Sequence, residues 1–195
     1  MKKLILASSS VYRATLLKKL GLPFDTDQPR VEESPKQGES APDLALRLSL
    51  EKAQEVSKRY PNSLIIASDQ VASLDDQLLG KPGSHLNASR QLLQCSGKTV
   101  SFHTGLCLLN TAPGGRSQTL VDRFDVKFRI LSKNQIENYL QRDKPYDCAG
   151  SFKAEGLGIA LFESLAGQDP NSLIGLPLIA LVGFLQEEGI DALLA

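Results

Sequence analysis

Tryptophan is absent from this chain of 195 residues, and it holds only two histidines, three cysteines and one methionine. Each scarcity closes off a class of protein. Two histidines, His85 and His103, cannot build a histidine-rich metal site. Cys95, Cys107 and Cys148 are widely spaced with no CxxC pair. That excludes a disulfide framework and the usual zinc pattern, and suits a reducing compartment. Net charge is also missing: 22 Lys and Arg balance 22 Asp and Glu. Duplex nucleic acid calls for a basic surface, so no nucleic-acid partner is expected. The longest late apolar stretch, Leu178 to Leu185, is too short to cross a bilayer, and no membrane association is expected. An N-terminal export signal would need an apolar core of about seven to fifteen residues. Only Leu4-Ile5-Leu6-Ala7 stands between Lys3 and the serines. There is no internal repeat and no low-complexity tract. GxxxxGK[ST], GxGxxG after a strand, GxSxG and a Cys/His nucleophile signature are all missing.

What is present is an ordinary globular composition, 42% hydrophobic and 23% charged, with length for a substantial core. The hydrophobic pattern predicts a strand over Lys2–Ala7, a helix over Ser10–Leu20 stopped by Gly21, and an extended stretch over Phe24–Val31. Ser40-Ala41-Pro42-Asp43 opens a helix that runs to about Arg59. Leu64–Ala67 reads as a strand ending at Ser68-Asp69-Gln70, followed by a hairpin turning at Asp75-Asp76. A helix over Leu86–Gln94, a long hairpin of Thr99–Leu109 and Leu120–Ile130, and a helix from Ser132 to about Arg142 come next. Leu157–Leu165 reads as extended, and Asn171–Glu188 as mostly helical around Pro177. Early alternation of strands and helices with an intruding hairpin is α/β with a mixed sheet.

Several residues invite chemistry. Ser8-Ser9-Ser10 followed by Arg13 at a helix start offers hydroxyls, unpaired N–H groups and a guanidinium to an anion such as phosphate. The same serines could simply cap the helix. Asp69, where an apolar strand is expected to end, could bind a metal or take a proton, or be a turn aspartate. Adjacent Glu32 and Glu33 suit a hard cation, or are a solvated pair. Lys52 shares a helical stripe with Ala45, Leu48 and Val56. Either its stem reaches back to water or its ammonium meets an anion. Lys81 stands in a Gly-Lys-Pro loop. Acids for a metal and a water, with cations for phosphate charge, are the inventory for metal-assisted attack on a polyphosphate.

The ordered segments Leu4–Ser10 with Arg13, Val31-Glu32-Glu33, Leu46-Arg47-Leu48, Glu51-Lys52-Ala53, Ile65–Gln70, Gly80-Lys81-Pro82, Phe102–Gly105, Cys148–Phe152, Asp169-Pro170-Asn171 and Ile174–Leu178 resemble the Maf family of nucleoside triphosphate pyrophosphatases nearly end to end. The pattern is most similar to the family's 7-methyl-GTP branch. The resemblance implies one Maf/ITPase-like α/β domain over residues 1–195, elongated and two-lobed around a central nucleotide cleft, cytoplasmic and in many members a homodimer. It implies hydrolysis between the α- and β-phosphates with Mg²⁺ or Mn²⁺, as a house-cleaning activity against modified nucleotides. The implied roles are Asp69 as general base; Ser8, Arg13, Lys52 and Lys81 for phosphate; Glu33, Glu32 and Asp69 for the metal; and Tyr12, Gln70 and Ala154 for the choice of base. Val11, Glu32 and Ala154 depart from the family's more common Pro, Asp and Ser. The alternatives are a pyrimidine-triphosphate pyrophosphatase of the same family and a nucleotide-binding regulator of division.

Overall fold

The structure, a computed structural model, describes residues 2–194. Seven strands form one sheet in the order β2-β1-β3-β5-β6-β7, with β4 paired to β3. β1 (Lys3–Ala7) runs parallel to β2 (Phe24–Asp27) and to β3 (Ser63–Leu74). β3 pairs antiparallel with β4 (Gln77–Leu79), and the turn between them sets Asp75 and Asp76 at φ 49° and 63°. β5 (Thr99–Asn110) and β6 (Ser117–Phe128) make the long hairpin, and β7 (Phe162–Gly167) pairs antiparallel with β6. The sheet is therefore mixed, as the sequence predicts.

The described chain divides into two compact units. The first takes the chain up to Gln70, Thr104–Asp122 and the stretch from Asp169 onward. In it, side chains of a strand alternate between faces. On one face Leu4, Leu6, Leu64, Ile66, Leu106 and Leu108 pack with Leu16 and Leu17 of α1 (Val11–Lys18) and with Leu181 and Leu185 of α6 (Leu178–Glu187). On the other, Ile5, Ala7, Ile65, Ala67 and Cys107 pack against Ala53 and Val56 of α2 (Ala41–Ser57). Burial on both faces explains why Leu4–Ala7 and Leu64–Ala67 are unbroken apolar runs rather than alternating ones. Ser10 and Ser40 cap α1 and α2 by accepting from the amides of Arg13 and Asp43. Gly21 takes a left-handed φ of 69° just past α1.

The second unit is Val71–His103 with Arg123–Gln168. It holds α3 (His85–Cys95) and α4 (Lys133–Asp143), the latter opened by a full capping box between Ser132 and Gln135. Phe102, Phe128, Phe152 and Phe162 stack edge to face with centroids 4.8–5.7 Å apart.

Three expectations need correction. β3 does not stop at Ala67 but continues to Leu74, because β4 pairs with its far half. The extended stretch expected over Phe24–Val31 is a strand only in its first half; β2 ends at Asp27. Leu157–Leu161 is a 3₁₀ turn rather than strand. Gly158 lies so close to the Lys153 carbonyl that a Cβ would overlap it, so the chain doubles back there before β7 begins. The C-terminal helical stretch is two helices, α5 (Pro170–Ile174) and α6, separated by Gly175 at φ 118° and by Pro177. No helix among the described residues is long and apolar enough to cross a membrane.

Candidate functional site

Asp69 lies inside β3, not beyond it. What ends nearby is β1: its register with β3 is Leu6 against Ile66, and it stops at Ala7. Asp69 therefore sits just past the carboxyl end of the parallel pair, where α/β sheets place ligands. Alternation puts Asp69 on the face of Ile65 and Ala67, the face that α2 covers.

From that helix comes Lys52. It is 5% exposed, and its ammonium lies 2.5 Å from Asp69 Oδ1 and 2.6 Å from Glu33 Oε1. Of the two readings of a lysine on an apolar stripe, the structure selects the anion. Two carboxylates from segments far apart in sequence converge on one buried cation. Glu33 comes from an exposed loop and is itself more than half exposed. Its neighbour Glu32 is directed elsewhere: its carboxylate accepts from the amide and hydroxyl of Ser34 at 3.0 and 2.6 Å, which holds it below the usual carboxylate range. The structure thus brings Glu33, not Glu32, to Lys52.

Among the described residues no three His, Cys, Asp or Glu side chains gather into a ready-made metal cage. Glu33 and Asp69 offer the donor type that Mg²⁺ and Mn²⁺ take, with one oxygen of each already on the Lys52 ammonium. These ions take oxygen ligands, and Mg²⁺ uses one or two carboxylates and completes its shell with water and substrate phosphates.

The serine segment divides by task. Ser10 caps α1, whereas buried Ser8 accepts from the Ser10 amide at 3.1 Å through its hydroxyl oxygen, with the hydroxyl proton still available to donate. Arg13 points its Nε to the Gly175 carbonyl at 2.9 Å. Burial pushes its guanidinium below its ordinary value, and the nearby Asp69 and Glu33 carboxylates act in the opposite direction. A partly desolvated guanidinium gains from a counter-anion, and the two carboxylates already supply part of that compensation.

Ser68 and Gln70 flank Asp69 and face the opposite side of the sheet. Ser68 Oγ lies 2.7 Å from the Gly105 carbonyl and 2.9 Å from that of Gly175. Gln70 Nε2 donates to the carbonyls of Ser172 and Leu173 at 2.7 and 3.0 Å, and Thr104 Oγ1 is 3.1 Å away. The amide nitrogen of Gln70 is therefore engaged in holding the α5 segment to β3. Buried Asp169 fixes that segment from its other end by accepting from the amides of Asn171 and Ile179, both at 2.8 Å. Ser68 and Gly175 carry no functional signature of their own in the sequence. The available signal was Ile-Gly-Leu-Pro, a glycine and a proline interrupting a helical run. Tyr12 is half-buried in the first turn of α1. Lys81 is exposed in its loop and Ala154 is half-buried in a turn; both belong to the second unit.

Known proteins resemble this chain over nearly its whole length. A protein of Nitrosococcus oceani named 7-methyl-GTP pyrophosphatase is 53% identical over 190 residues, covering 97% of this chain and 95% of that protein. One of Colwellia psychrerythraea with the same name is 52% identical over 193 residues, covering 99% and 96%. Among solved structures, the Staphylococcus aureus Ham1 protein superposes with a TM-score of 0.46 at 15% identity, over 65% of this chain and 72% of that one, a likeness too low to carry an argument. The family model described as Maf-like protein matches residues 3–188. With that span and those identities, the chain belongs to the Maf family.

Proposed function

We propose that this protein hydrolyses 7-methyl-GTP to 7-methyl-GMP and pyrophosphate. The observation that carries the reading is the buried Lys52 ammonium held between Asp69 and Glu33, with the desolvated Arg13 nearby. Support for the substrate comes from the two relatives of 53% and 52% identity that bear that name.

In this reading a water attacks the α-phosphorus. The bond to the oxygen bridging the α- and β-phosphates breaks, and pyrophosphate leaves with the electron pair. Asp69 takes the proton of the attacking water. Its Oδ1 is turned to Lys52, which orients the carboxylate. Arg13 and the buried Lys52 meet the negative charge of the phosphates and of the leaving group. Ser8 donates its hydroxyl to a phosphate oxygen. A divalent cation held by Glu33 and Asp69 would neutralise phosphate charge and polarise the phosphoryl group. The phosphate role of Lys81 and the specificity role of Ala154 rest on the family resemblance.

Tyr12 gives a physical basis for recognising the methylated base. 7-Methylguanine is cationic, and a cation over an aromatic face gains about 0.5–2 kcal/mol. About 1.4 kcal/mol is a factor of ten. Tyr12→Leu is therefore expected to lower the ratio of kcat/KM for 7-methyl-GTP over GTP by about tenfold. Pyrophosphate release from 7-methyl-GTP, GTP, dTTP and UTP, followed in parallel for both proteins, measures it. An unchanged ratio removes Tyr12 from base choice, and a wild-type preference for dTTP or UTP overturns the substrate.

A further inference from the structure

Glu33 poses a problem of placement. It lies in the run from Gln28 to Ser40, which has no regular secondary structure beyond one turn. Nothing in such a segment by itself holds a carboxylate against a buried lysine. Glu55 of α2 accepts from the Arg30 amide at 3.1 Å and Glu51 pairs with Lys36, but around Glu33 the densest set of bonds runs to Arg47. Arg47 donates Nε to Glu39 Oε1 at 2.6 Å and Nη2 to Glu39 Oε2 at 2.8 Å, a two-pronged pair. The same Nη2 donates to the Ser34 carbonyl at 3.1 Å, and Nη1 to Glu51 Oε2 at 3.0 Å. All the donor nitrogens of the guanidinium are used, and its side chain is only 16% exposed.

The local geometry extends the hold. Glu39 also accepts from the Lys36 amide at 2.9 Å, closing a turn whose other bond runs from the Glu39 amide to the Lys36 carbonyl. The Ser34 amide donates to Glu32, so the residues on both sides of Glu33 are fixed by one short chain of bonds that ends on Arg47. Lys52 is five positions further along α2, hence on the same rigid element. The Arg47 fork holds Glu39 well below the usual carboxylate range, to about 2, so the clamp stays charged at neutral pH.

We infer that Arg47 is a positioning residue: with Glu39 it clamps the 32–39 loop onto α2 and thereby sets Glu33 against Lys52. The functional consequence rests on the hydrolase reading above; the clamp itself does not. A lysine cannot replace the fork, since a point charge cannot hold two carboxylate oxygens and a carbonyl at once.

Amide hydrogen exchange of the full-length protein tests the clamp without reference to activity. Arg47→Ala, Arg47→Lys and Glu39→Gln are each expected to speed exchange at Ser34, Lys36 and Glu39 while leaving the core of α2 protected. In assays with 7-methyl-GTP, Arg47→Ala is expected to raise the Mg²⁺ or Mn²⁺ concentration for half-maximal rate by about 10–100-fold, the usual cost of losing a residue that orients a metal-binding group. Glu33→Gln added to Arg47→Ala is expected to cost little more, because Glu33 is already misplaced. Unchanged loop exchange in all three variants overturns the clamp. Losses from Arg47→Ala and Glu33→Gln that multiply independently overturn the link to Glu33. Should Arg47→Ala fail to fold, Glu39→Gln carries the same two tests from the loop side. A wild-type protein that releases no pyrophosphate from any triphosphate sinks the hydrolase reading, while the exchange result still decides the clamp.

Discussion

Asp69→Asn is expected to lower kcat by about 10²–10⁴-fold, the range usual for loss of a general acid or base. Asparagine keeps the shape and the hydrogen-bonding reach of the side chain but cannot take a proton from water at neutral pH. The fold should survive, for a physical reason. Asp69 is one of two carboxylate partners of Lys52 among the described residues, and Glu33 at 2.6 Å remains to compensate the buried ammonium. A thermal melt close to wild type, with nucleotide binding largely retained and turnover lost, is the expected combination. Turnover within a few-fold of wild type would remove Asp69 from the role of base. The same variant separates catalysis from regulation. A cellular effect of the protein that persists undiminished with Asp69→Asn would have to come from nucleotide binding instead. Losing both binding and fold would mean that Asp69 matters chiefly as a counter-ion, and the double replacement Asp69→Asn with Lys52→Met, which removes both buried charges, is then expected to restore the fold.

How much of this was legible beforehand differs from residue to residue. The caps at Ser10, Ser40 and Ser132 are local, and each was readable because the cap and its first turn lie within four residues. The parallel pair β1 and β3 was readable because burial on both faces leaves an unbroken apolar run. The continuation of β3 through Ser68, Asp69 and Gln70 was not, because three polar residues in a row look like a strand end. They are tolerated within the strand because each has a partner from elsewhere: carbonyls of the Gly105 and Gly175 segments for Ser68, Lys52 for Asp69, and the Ser172 and Leu173 carbonyls for Gln70. No local pattern encodes partners that distant. Lys52 shows the intermediate case. Its helical spacing marked the anomaly, but choosing between water and an anion required knowing that α2 covers the Asp69 face of the sheet. Glu32 and Glu33 are indistinguishable in sequence. Only the turn at Ser34 separates them, by engaging the first and leaving the second for Lys52.

Gly105→Ala is expected to damage this site without touching any residue of it. Gly105 lies on β5, where the strand passes directly under α2. A Cβ there would be driven into the carbonyl of Ala45, a backbone atom that cannot rotate aside as a flexible side chain would. Relief requires α2 to lift from the sheet or β5 to sink into it. Overfilling a close-packed core usually costs about 1–3 kcal/mol, and a backbone-to-backbone collision belongs at or above the upper end. In a chain of this length about 3 kcal/mol corresponds to a fall in Tm of roughly 10 °C. The displacement is transmitted along a known path. Ala45 and Lys52 stand two turns apart on one helix, so a shift at Ala45 moves the ammonium away from Asp69. The Gly105 carbonyl also faces Ser68 Oγ, so the strand residue beside Asp69 is disturbed from the other side. The expected result is a lowered melting temperature together with a fall in turnover for the protein that remains folded at 25 °C, measured by circular dichroism and pyrophosphate release. Gly114→Ala is the control: it lies in the turn of the β5–β6 hairpin with no atom within 4 Å of where a Cβ would project, so only its left-handed φ of 75° is strained. That strain should cost on the order of 1 kcal/mol and leave turnover intact. A Gly105→Ala protein as stable and active as wild type would mean that α2 and the sheet are not in backbone contact at Ala45.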